Sequence, residues 1–462
     1  MTNVQKQYWR LEARETIRLA APLVLMQLSQ IAMMTIDVLM IGQLGKDALA
    51  GAALGGTLIF LWFVAGMGLV MAVAPLAAQA FGAGDETQVR RVTRQGLWVT
   101  ALVTLPGLFA LLAMENVLSW LNQPAVAIKG AGEYLSTIAW GLPFMVGFVV
   151  LRCFGASVNR PRPGLWIMLA GIPVNALLDY TLIFGNFGAP RLELAGAGAA
   201  TTIVQTVMFL GLLVYSVRGE GLRDYTILAR FWRPDWVIFR KIFVIGLPIA
   251  GIYMLEMGVF SFAVVMMGWI DAASIAAHQI AIQIASVTFM VPMGIGQAAT
   301  VRVGQALGRS DPAGIRRAGF VALGLGIVFM TTMSLLIALF PGWLAGLYLD
   351  EAKPGSPEVL ALAASLLYVA AAFQIVDGMQ AIGAGALRGL NDTKVPMVAA
   401  GIGYWIIGFG TAWTLAFVVG WGAVGIWIGL ALGLAATALF FVRRFNRRTA
   451  GSQTATVAAS PA

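Results

Sequence analysis

Twelve long apolar stretches, separated by short polar breaks, constrain this 462-residue chain more than any other feature. Most have the roughly 20 predominantly apolar residues that a helix needs to cross the hydrocarbon core of a bilayer. The runs are continuous rather than alternating, which indicates helices and not the strands of a β-barrel. We predict an all-α integral membrane protein with twelve transmembrane helices, at residues 17–42, 48–81, 95–114, 126–151, 163–185, 194–217, 242–270, 273–301, 318–340, 357–387, 395–419 and 421–442.

The composition agrees with a membrane protein. Apolar residues make up 59% of the chain and charged residues only 11%, whereas a soluble domain carries roughly a quarter charged residues. The polar N-terminus opens directly into the long first stretch, without a small-residue cleavage site, so we expect an uncleaved first helix. The single cysteine, Cys153, excludes an internal disulfide.

The basic residues alternate from one connection to the next. Of the 30 Lys and Arg residues, 26 lie at the two ends of the chain or in the even-numbered connections, and four lie in the odd-numbered ones. The positive-inside rule then predicts that both termini are cytoplasmic. We expect the protein in the inner membrane of a bacterial cell. Membrane topology accounts for the net charge of +9, so we expect the lipid bilayer and no nucleic acid as a partner. We expect a monomer.

An internal repeat relates the two halves of the chain at an offset of 226 residues. Pro22 matches Pro248 and Asp85 matches Asp311, without a gap over about 70 residues. Six helices, an even number, separate the copies, so the repeats are parallel and related by an axis along the membrane normal.

This repeat predicts two lobes of six helices around a central cleft, the plan of an alternating-access transporter. We expect the N-lobe at residues 1–225, the C-lobe at 226–448 and a disordered cytoplasmic tail at 449–462.

Four acidic residues lie deep inside the predicted helices: Asp37, Asp179, Glu256 and Asp377. A charge at the bilayer centre costs about 2.5–3.5 kcal/mol or more, so such groups usually face a cavity and carry function. No Lys or Arg is expected deep enough to neutralise them. They predict titratable or cation-binding sites, two in each half, and the open alternative is protonated carboxyl groups that hydrogen-bond between helices.

Polar side chains at helical spacing accompany these acids. Asn175 lies one turn before Asp179, so both side chains point the same way, and a stripe on the first helix leads to Asp37. We expect further cavity-lining residues at Gln27, Gln30, Met34, Tyr253, Gln279, Gln283, Ser286, Gln374 and Gln380. Met and Tyr on such stripes are candidate soft contacts for an apolar cation, although packing is the commoner role.

Several segments together resemble the MATE (multidrug and toxic compound extrusion) transporters, in particular the NorM-type branch, over residues 10–445. They are DVLMIG at 37–42, QAFGAGD at 79–85, PVNALLDY at 173–180, GAGAAT at 196–201, and DGMQ at 377–380 continuing to GALRGLNDT at 385–393. The resemblance implies export of bulky, cationic, amphipathic compounds in exchange for Na⁺ or H⁺, with no other cofactor.

The resemblance also implies a cation site in the N-lobe, formed by Asp37, Asn175, Asp179 and Thr201. Their oxygen atoms are hard ligands that suit Na⁺ or a shared proton. Two carboxyl groups close together in a dry site cannot easily both ionise, so this pair is expected to take up and release the coupling ion.

In the NorM-type branch the residues that match Glu256 and Asp377 form a second acidic site. The branch can carry a tyrosine one turn before the second acid, where this chain has Phe373. Because Phe373 offers no hydroxyl, the sequence favours proton coupling or Na⁺ binding in the N-lobe. The C-lobe pair is then expected to attract the cationic drug.

Other functions remain as alternatives. A lipid-linked-precursor flippase of the wider superfamily commonly needs extra helices or a cationic cavity. A membrane-embedded transferase needs a polar catalytic loop, and the sequence has no Walker A motif and no nucleophile elbow. The only histidine, His278, is a cavity candidate for which helix packing is favoured over a proton relay. We therefore predict a transporter and not an enzyme.

Overall fold

The computed structural model describes residues 3–114, 118–119, 124–349 and 355–458, with side chains to 450. These residues contain twelve helices that are long and apolar enough to cross a membrane, which confirms the predicted number. They are α1 (Asn3–Gly42), α2 (Lys46–Gly82), α3 (Glu86–Leu112), α4 (Ala125–Ser157), α5 (Arg162–Phe184), α6 (Glu193–Arg218), α7 (Trp236–Ile270), α8 (Ala272–Gly308), α9 (Pro312–Leu339), α10 (Ser356–Gly389), α11 (Lys394–Val418) and α12 (Gly422–Ala450).

Three of these helices are irregular. The α-helical geometry of α2 is interrupted between Val70 and Val73, and a 3₁₀ turn at Ala139–Gly141 divides α4. Helix α11 contains two π-helical stretches, Ile402–Phe409 and Thr414–Val418. π-Helical turns occur frequently at functional sites, and the first of these stretches contains Tyr404.

The acids matched by the repeat begin equivalent helices. The side chain of Asp85 accepts a hydrogen bond from the backbone N–H of Gln88 (2.8 Å) at the start of α3. Asp311 accepts one from Gly314 N–H (2.8 Å) at the start of α9. Both residues are N-caps, which satisfy backbone donors that have no partner inside the helix.

Contacts divide the chain into two compact units. The N unit is Leu25–Ala250, and the C unit is Met1–Val24 with Gly251–Ala462. The two divisions lie 226 residues apart, the offset of the repeat, and each follows by two residues a proline inside a helix, Pro22 in α1 and Pro248 in α7. The structural division thus falls within helices and differs from the expected lobe boundary at residue 225.

The first half of α1 is bound to the C unit by a bidentate ion pair. Arg302 in α8 donates from Nε to Glu12 Oε1 (2.8 Å) and from Nη2 to Glu12 Oε2 (2.9 Å). Both side chains are largely buried. The two parallel hydrogen bonds fix the relative orientation of the two side chains as well as attracting them to each other.

The last helix extends beyond the membrane-spanning part. Helical backbone continues from Gly422 to Ala458, into the segment 449–462 that was expected to form a disordered tail. Residues 459–462 lie outside the described part of the chain. Arg444 of this helix donates to both carboxylate oxygens of Asp392, which lies between α10 and α11 (2.7 and 3.0 Å).

Candidate functional site

Four predicted residues from three helices of the N unit come together. One amide nitrogen, Asn175 Nδ2, donates to Asp37 Oδ1 (2.6 Å) and to Asp179 Oδ2 (2.7 Å). Thr201 Oγ1 lies 3.1 Å from Ala197 O and 3.4 Å from Asp37 Oδ2. A threonine hydroxyl has one hydrogen to donate, so Thr201 can serve either its own helix or the carboxylate.

The two carboxyl groups of this cluster interact with each other as well as with the amide. Two carboxyl groups this close cannot easily both ionise, so the arrangement suits one shared proton. Asn175 and Asp179 are fully buried. Asn175 Oδ1 and Asp179 Oδ1 have no hydrogen-bond partner among the described residues. Buried oxygens normally have one, so the cluster has capacity for a further proton or cation.

Glycines bring α6 close enough for Thr201 to reach the cluster. A Cβ at Gly196 would collide with the backbone of Leu182 in α5, and a Cβ at Gly198 would lie 2.7 Å from Tyr134 O in α4. Small residues at helix interfaces permit such close approach in membrane proteins. The glycines of the GAGAAT segment therefore let α6 approach α4 and α5 closely, which positions Thr201.

Tyr134 belongs to this region and was not predicted. It is buried, at 7% exposure, and it interacts electrostatically with both Asp37 and Asp179. Its phenol is a polar group in the middle of α4. A lone tyrosine in an apolar helix gives no periodic signal, so only the packing of α4 against α6 identifies it.

The residues of the predicted stripe on α1 differ in exposure. Gln27 is buried and its Oε1 accepts a hydrogen bond from Arg152 Nη1 (2.9 Å). Gln30 is half-buried, and Met34 is 51% exposed. Arg152, which the charge pattern assigned to a loop, is 6% exposed and lies inside α4.

The C unit has its own cavity, with a volume of ≈ 20 Å³ available to the centre of a water molecule. That volume suits about one water. Glu256, Tyr253 and Arg388 are among the residues that line it. The Arg388 guanidinium lies 5.6 Å from the centre of the Tyr253 ring.

Arg388 corrects the expectation that no base lies near the buried acids. It was assigned to the loop after α10, but it occupies the last turn of that helix and is 6% exposed. Its positive charge acts on Glu256. The second acidic site therefore combines two acids with one base, because buried Asp377 interacts electrostatically with partly buried Glu256.

Polar residues around Asp377 are paired in part. Gln374 Oε1 accepts a hydrogen bond from Thr288 Oγ1 (2.7 Å), and Gln380 donates to the hydroxyl of buried Tyr404. Asp377 Oδ1 has no hydrogen-bond partner among the described residues. Tyr404 was not predicted, although it interacts electrostatically with both acids.

Comparison with known sequences identifies the family. The model of the MatE family matches residues 22–181 and again residues 248–414. The chain belongs to the MatE family. The two matches begin 226 residues apart, which agrees with the predicted repeat. As a MatE member the chain is a multi-pass membrane transporter and not an enzyme.

Bacterial MatE relatives are similar over nearly their whole length. A probable multidrug resistance protein NorM of Bradyrhizobium diazoefficiens is 48% identical over 432 residues, 94% of this chain and 92% of the relative. One of Rhodopseudomonas palustris is 48% identical over 451 residues, 98% and 95% of the two chains. The multidrug resistance protein NorM of Burkholderia vietnamiensis is 42% identical, over 95% and 94%.

Solved MatE-type structures share the fold. The crystal structure of the eukaryotic MATE transporter AtDTX14 aligns with a TM-score of 0.85 at 20% identity, covering 96% of this chain and 99% of that one. A MATE in complex with MaL6 aligns with a TM-score of 0.87 at 19% identity, covering 96% and 97%.

The remaining candidates of this MatE protein are not among the residues that line the C-unit cavity. Gln279 and Gln283 are on the exposed face of α8. His278 Nδ1 accepts a hydrogen bond from Trp427 Nε1 (3.2 Å) in the core. Phe373, 1% exposed, packs edge-on against Phe260 and Trp427. His278 and Phe373 thus have packing contacts.

The N-unit cluster suits a proton or a monovalent cation. Within the described ranges, no group of three or more His, Cys, Asp or Glu could hold a metal ion. The cluster of Asp37, Asn175, Asp179 and Thr201 instead offers two carboxyls, an amide and a hydroxyl. Hard oxygen ligands of this kind suit Na⁺, for which the amide would turn Oδ1 towards the carboxylates.

Proposed function

We propose that this protein is a secondary active multidrug efflux transporter, which exchanges an inward-moving H⁺ or Na⁺ for cationic, amphipathic organic compounds by alternating access. The proposal rests on the MatE match and on relatives named as multidrug resistance proteins. The observation that carries the coupling mechanism is the pair of carboxyl groups, Asp37 and Asp179, that one amide bridges inside an apolar helix bundle.

The geometry favours H⁺ as the coupling ion. Two carboxyl groups as close as Asp37 and Asp179 suit one shared proton, and Asn175 directs both N–H groups of its amide towards them. An amide N–H repels Na⁺, so Na⁺ would require rotation of the Asn175 amide. A proton can leave this cluster while the amide stabilises the remaining charge by charge-assisted hydrogen bonds.

The C unit supplies the second acidic site of the proposed mechanism. Glu256 and Asp377 together with Arg388 carry a net charge of −1 when all three are ionised, so one added proton or cation neutralises the group. The cavity beside Glu256 has room for about one water, which suits a small cation in this conformation. We propose that this site attracts cationic cargo when the cavity is wider.

We further propose that both termini face the cytoplasm and that the protein acts as a monomer in the inner membrane. The support for the orientation is the sequence pattern, in which 26 of the 30 basic residues fall at the chain ends or in the even-numbered connections. No cofactor besides the coupling ion is proposed.

The test separates the two driving ions. Purified protein in liposomes would be supplied with a pH gradient alone or with a Na⁺ gradient alone, and ethidium transport would be measured. We expect transport with the pH gradient, and a reduction of at least about tenfold in Asp179→Asn because an intramembrane titratable group is lost. Asp224→Asn, an exposed loop acid, is the matched control and should transport normally.

Two results would overturn parts of the proposal. Transport driven by Na⁺ alone would replace H⁺ as the coupling ion. Ion coupling that persists in Asp179→Asn and is lost in Glu256→Gln would assign the coupling site to the C unit instead of the N unit.

A further inference from the structure

A pocket with a strong excess of positive charge lies in the N unit and shares no residue with either acidic site. It has a volume of ≈ 200 Å³ and is formed by the start of α3 and the end of the connection between α6 and α7. Five arginines and one aspartate supply its charged lining: Arg90, Arg91, Arg94, Arg230, Arg233 and Asp235. We refer to these six residues as the arginine pocket.

The internal acid does not balance these charges. Asp235 is 3.7 Å from Arg91, and its other oxygen accepts a hydrogen bond from the backbone N–H of Ile238 (3.2 Å) at the start of α7. Five guanidinium groups remain charged at any physiological pH. The pocket therefore carries four uncompensated positive charges, which repel one another unless an anion enters.

Arg94 is the most buried arginine of the pocket, and it hydrogen-bonds to the backbone of the connection between α6 and α7. The side chain is 6% exposed, and Nη1 donates to the backbone oxygens of Ala229 (3.2 Å) and Arg230 (2.8 Å). Its buried Nε–H has no hydrogen-bond partner among the described residues. A buried guanidinium with a free donor, surrounded by other arginines, fits the oxygens of a phosphate group.

Tryptophans place the pocket at the surface of the bilayer. Trp98 lies one turn after Arg94 in α3, stacks on Phe231 with ring centres 5.8 Å apart, and donates to Phe231 O (3.0 Å). Trp232 at the end of the connection and Trp236 at the start of α7 are 74% and 69% exposed. Exposed tryptophans concentrate at the depth of the lipid headgroups.

We propose that the arginine pocket binds the phosphate group of an anionic phospholipid from the adjacent leaflet. Phospholipid phosphates lie at headgroup depth, and basic pockets between membrane helices bind acidic headgroups. A zwitterionic lipid is a poorer ligand, because its own cationic group is repelled by the excess arginine charge. This inference does not depend on the proposed transport function, and the proposed topology makes the leaflet cytoplasmic.

The bound lipid would stabilise the connection between α6 and α7. Arg94 already holds the backbone at Ala229 and Arg230, and Arg230 itself has a left-handed backbone conformation (φ 53°). Such conformations are unfavourable for residues other than glycine and occur at ligand-binding segments. Neutralising the arginines removes their repulsion, so lipid binding and stability of the protein should rise together.

The test compares two variants that lose the same charge, one within the pocket and one in the first turns of α7. Arg230→Gln/Arg233→Gln removes two exposed arginines of the pocket, whereas Arg240→Gln/Lys241→Gln removes two exposed basic residues outside it. Full-length protein in detergent would be titrated with phosphatidylglycerol or phosphatidylcholine. Retained lipid would be counted by native mass spectrometry, and the melting temperature would be measured in parallel.

We expect phosphatidylglycerol, more than phosphatidylcholine, to bind and to raise the melting temperature of the wild type and the control. The pocket variant should bind phosphatidylglycerol about thirtyfold more weakly. Its melting temperature without added lipid should be at least that of the control, because the change reduces the repulsion among the arginines. If the double variant does not fold, Arg233→Gln alone should give about a fivefold weakening.

Two outcomes would overturn the assignment. Equal phosphatidylglycerol binding by the pocket variant and the wild type would show that the arginine pocket is not the lipid site. Stabilisation by millimolar inorganic phosphate, equal to that by phosphatidylglycerol and lost in the pocket variant, would identify a soluble phosphate as the ligand.

Discussion

Asn175 Nδ2 lies 2.6 Å from Asp37 Oδ1 and so links α5 to α1 across the N-unit cluster. The same nitrogen donates to Asp179 in its own helix. Asn175 therefore uses both hydrogens of its amide to hold two acids that would otherwise repel each other. The cluster depends on this residue as much as on the carboxyl groups.

Asn175→Ala should abolish most ion-driven transport and destabilise the protein. The change removes the donor shared by buried Asp179 and partly buried Asp37, and an unsatisfied buried group costs about 1–3 kcal/mol. Dye transport and the melting temperature in detergent measure both effects. Asn186→Ala is the control, because this exposed amide donates only to the backbone oxygen of Tyr180. Normal transport by Asn175→Ala would contradict a role in coupling.

His278 should act as a hydrogen-bond acceptor in the core and not as a proton relay. Its Nδ1 receives the indole N–H of Trp427, so His278→Leu leaves that donor buried and unpaired, at a cost of about 1–3 kcal/mol. We expect a lower melting temperature and an unchanged dependence of transport rate on pH. His278→Gln keeps an acceptor and should recover part of the stability. A pH profile that changes in both variants would indicate proton transfer through His278.

The N-unit cluster could be predicted because its signals are local. Hydropathy shows that Asp37 and Asp179 lie inside helices, and the spacing of four residues places Asn175 on the same face as Asp179. The helix number could be predicted for the same reason, since each span is a continuous apolar run. The prediction that these helices meet came from the family resemblance and not from the composition.

The buried arginines could not be predicted from charge and position. Arg152 and Arg388 stand near the ends of apolar runs, where most basic residues face water. A long arginine side chain can extend in either direction, and the choice depends on distant partners. Here Gln27 accepts a hydrogen bond from the guanidinium of Arg152. The guanidinium of Arg388 lies over the ring of Tyr253. Neither pair leaves a spacing pattern in the sequence.

The charges of Arg388 and Glu256 should be energetically coupled. Both residues line one cavity, and Arg388 stabilises the ionised form of Glu256 electrostatically. Arg388→Gln and Glu256→Gln should each lower stability, while the double variant should lose less than the sum. Interacting charged pairs give coupling energies of about 0.5–3 kcal/mol. Chemical or thermal unfolding of the four proteins measures this cycle, and strict additivity would show that the two groups do not interact.

Phe373→Tyr should not create a Na⁺ requirement. The residue is 1% exposed, and its ring packs edge-on against Phe260 and Trp427. A hydroxyl added to such a core must find a partner or remain buried without one, at a cost of about 1–3 kcal/mol. We expect a lower melting temperature, with the same dependence of transport on the pH gradient as the wild type. Tyr368→Phe removes a hydroxyl from an exposed position of the same helix. It is the control for the effect of an aromatic substitution in α10. Na⁺-stimulated transport in Phe373→Tyr alone would show that the missing hydroxyl, and not the geometry of the N-unit cluster, determines the coupling ion.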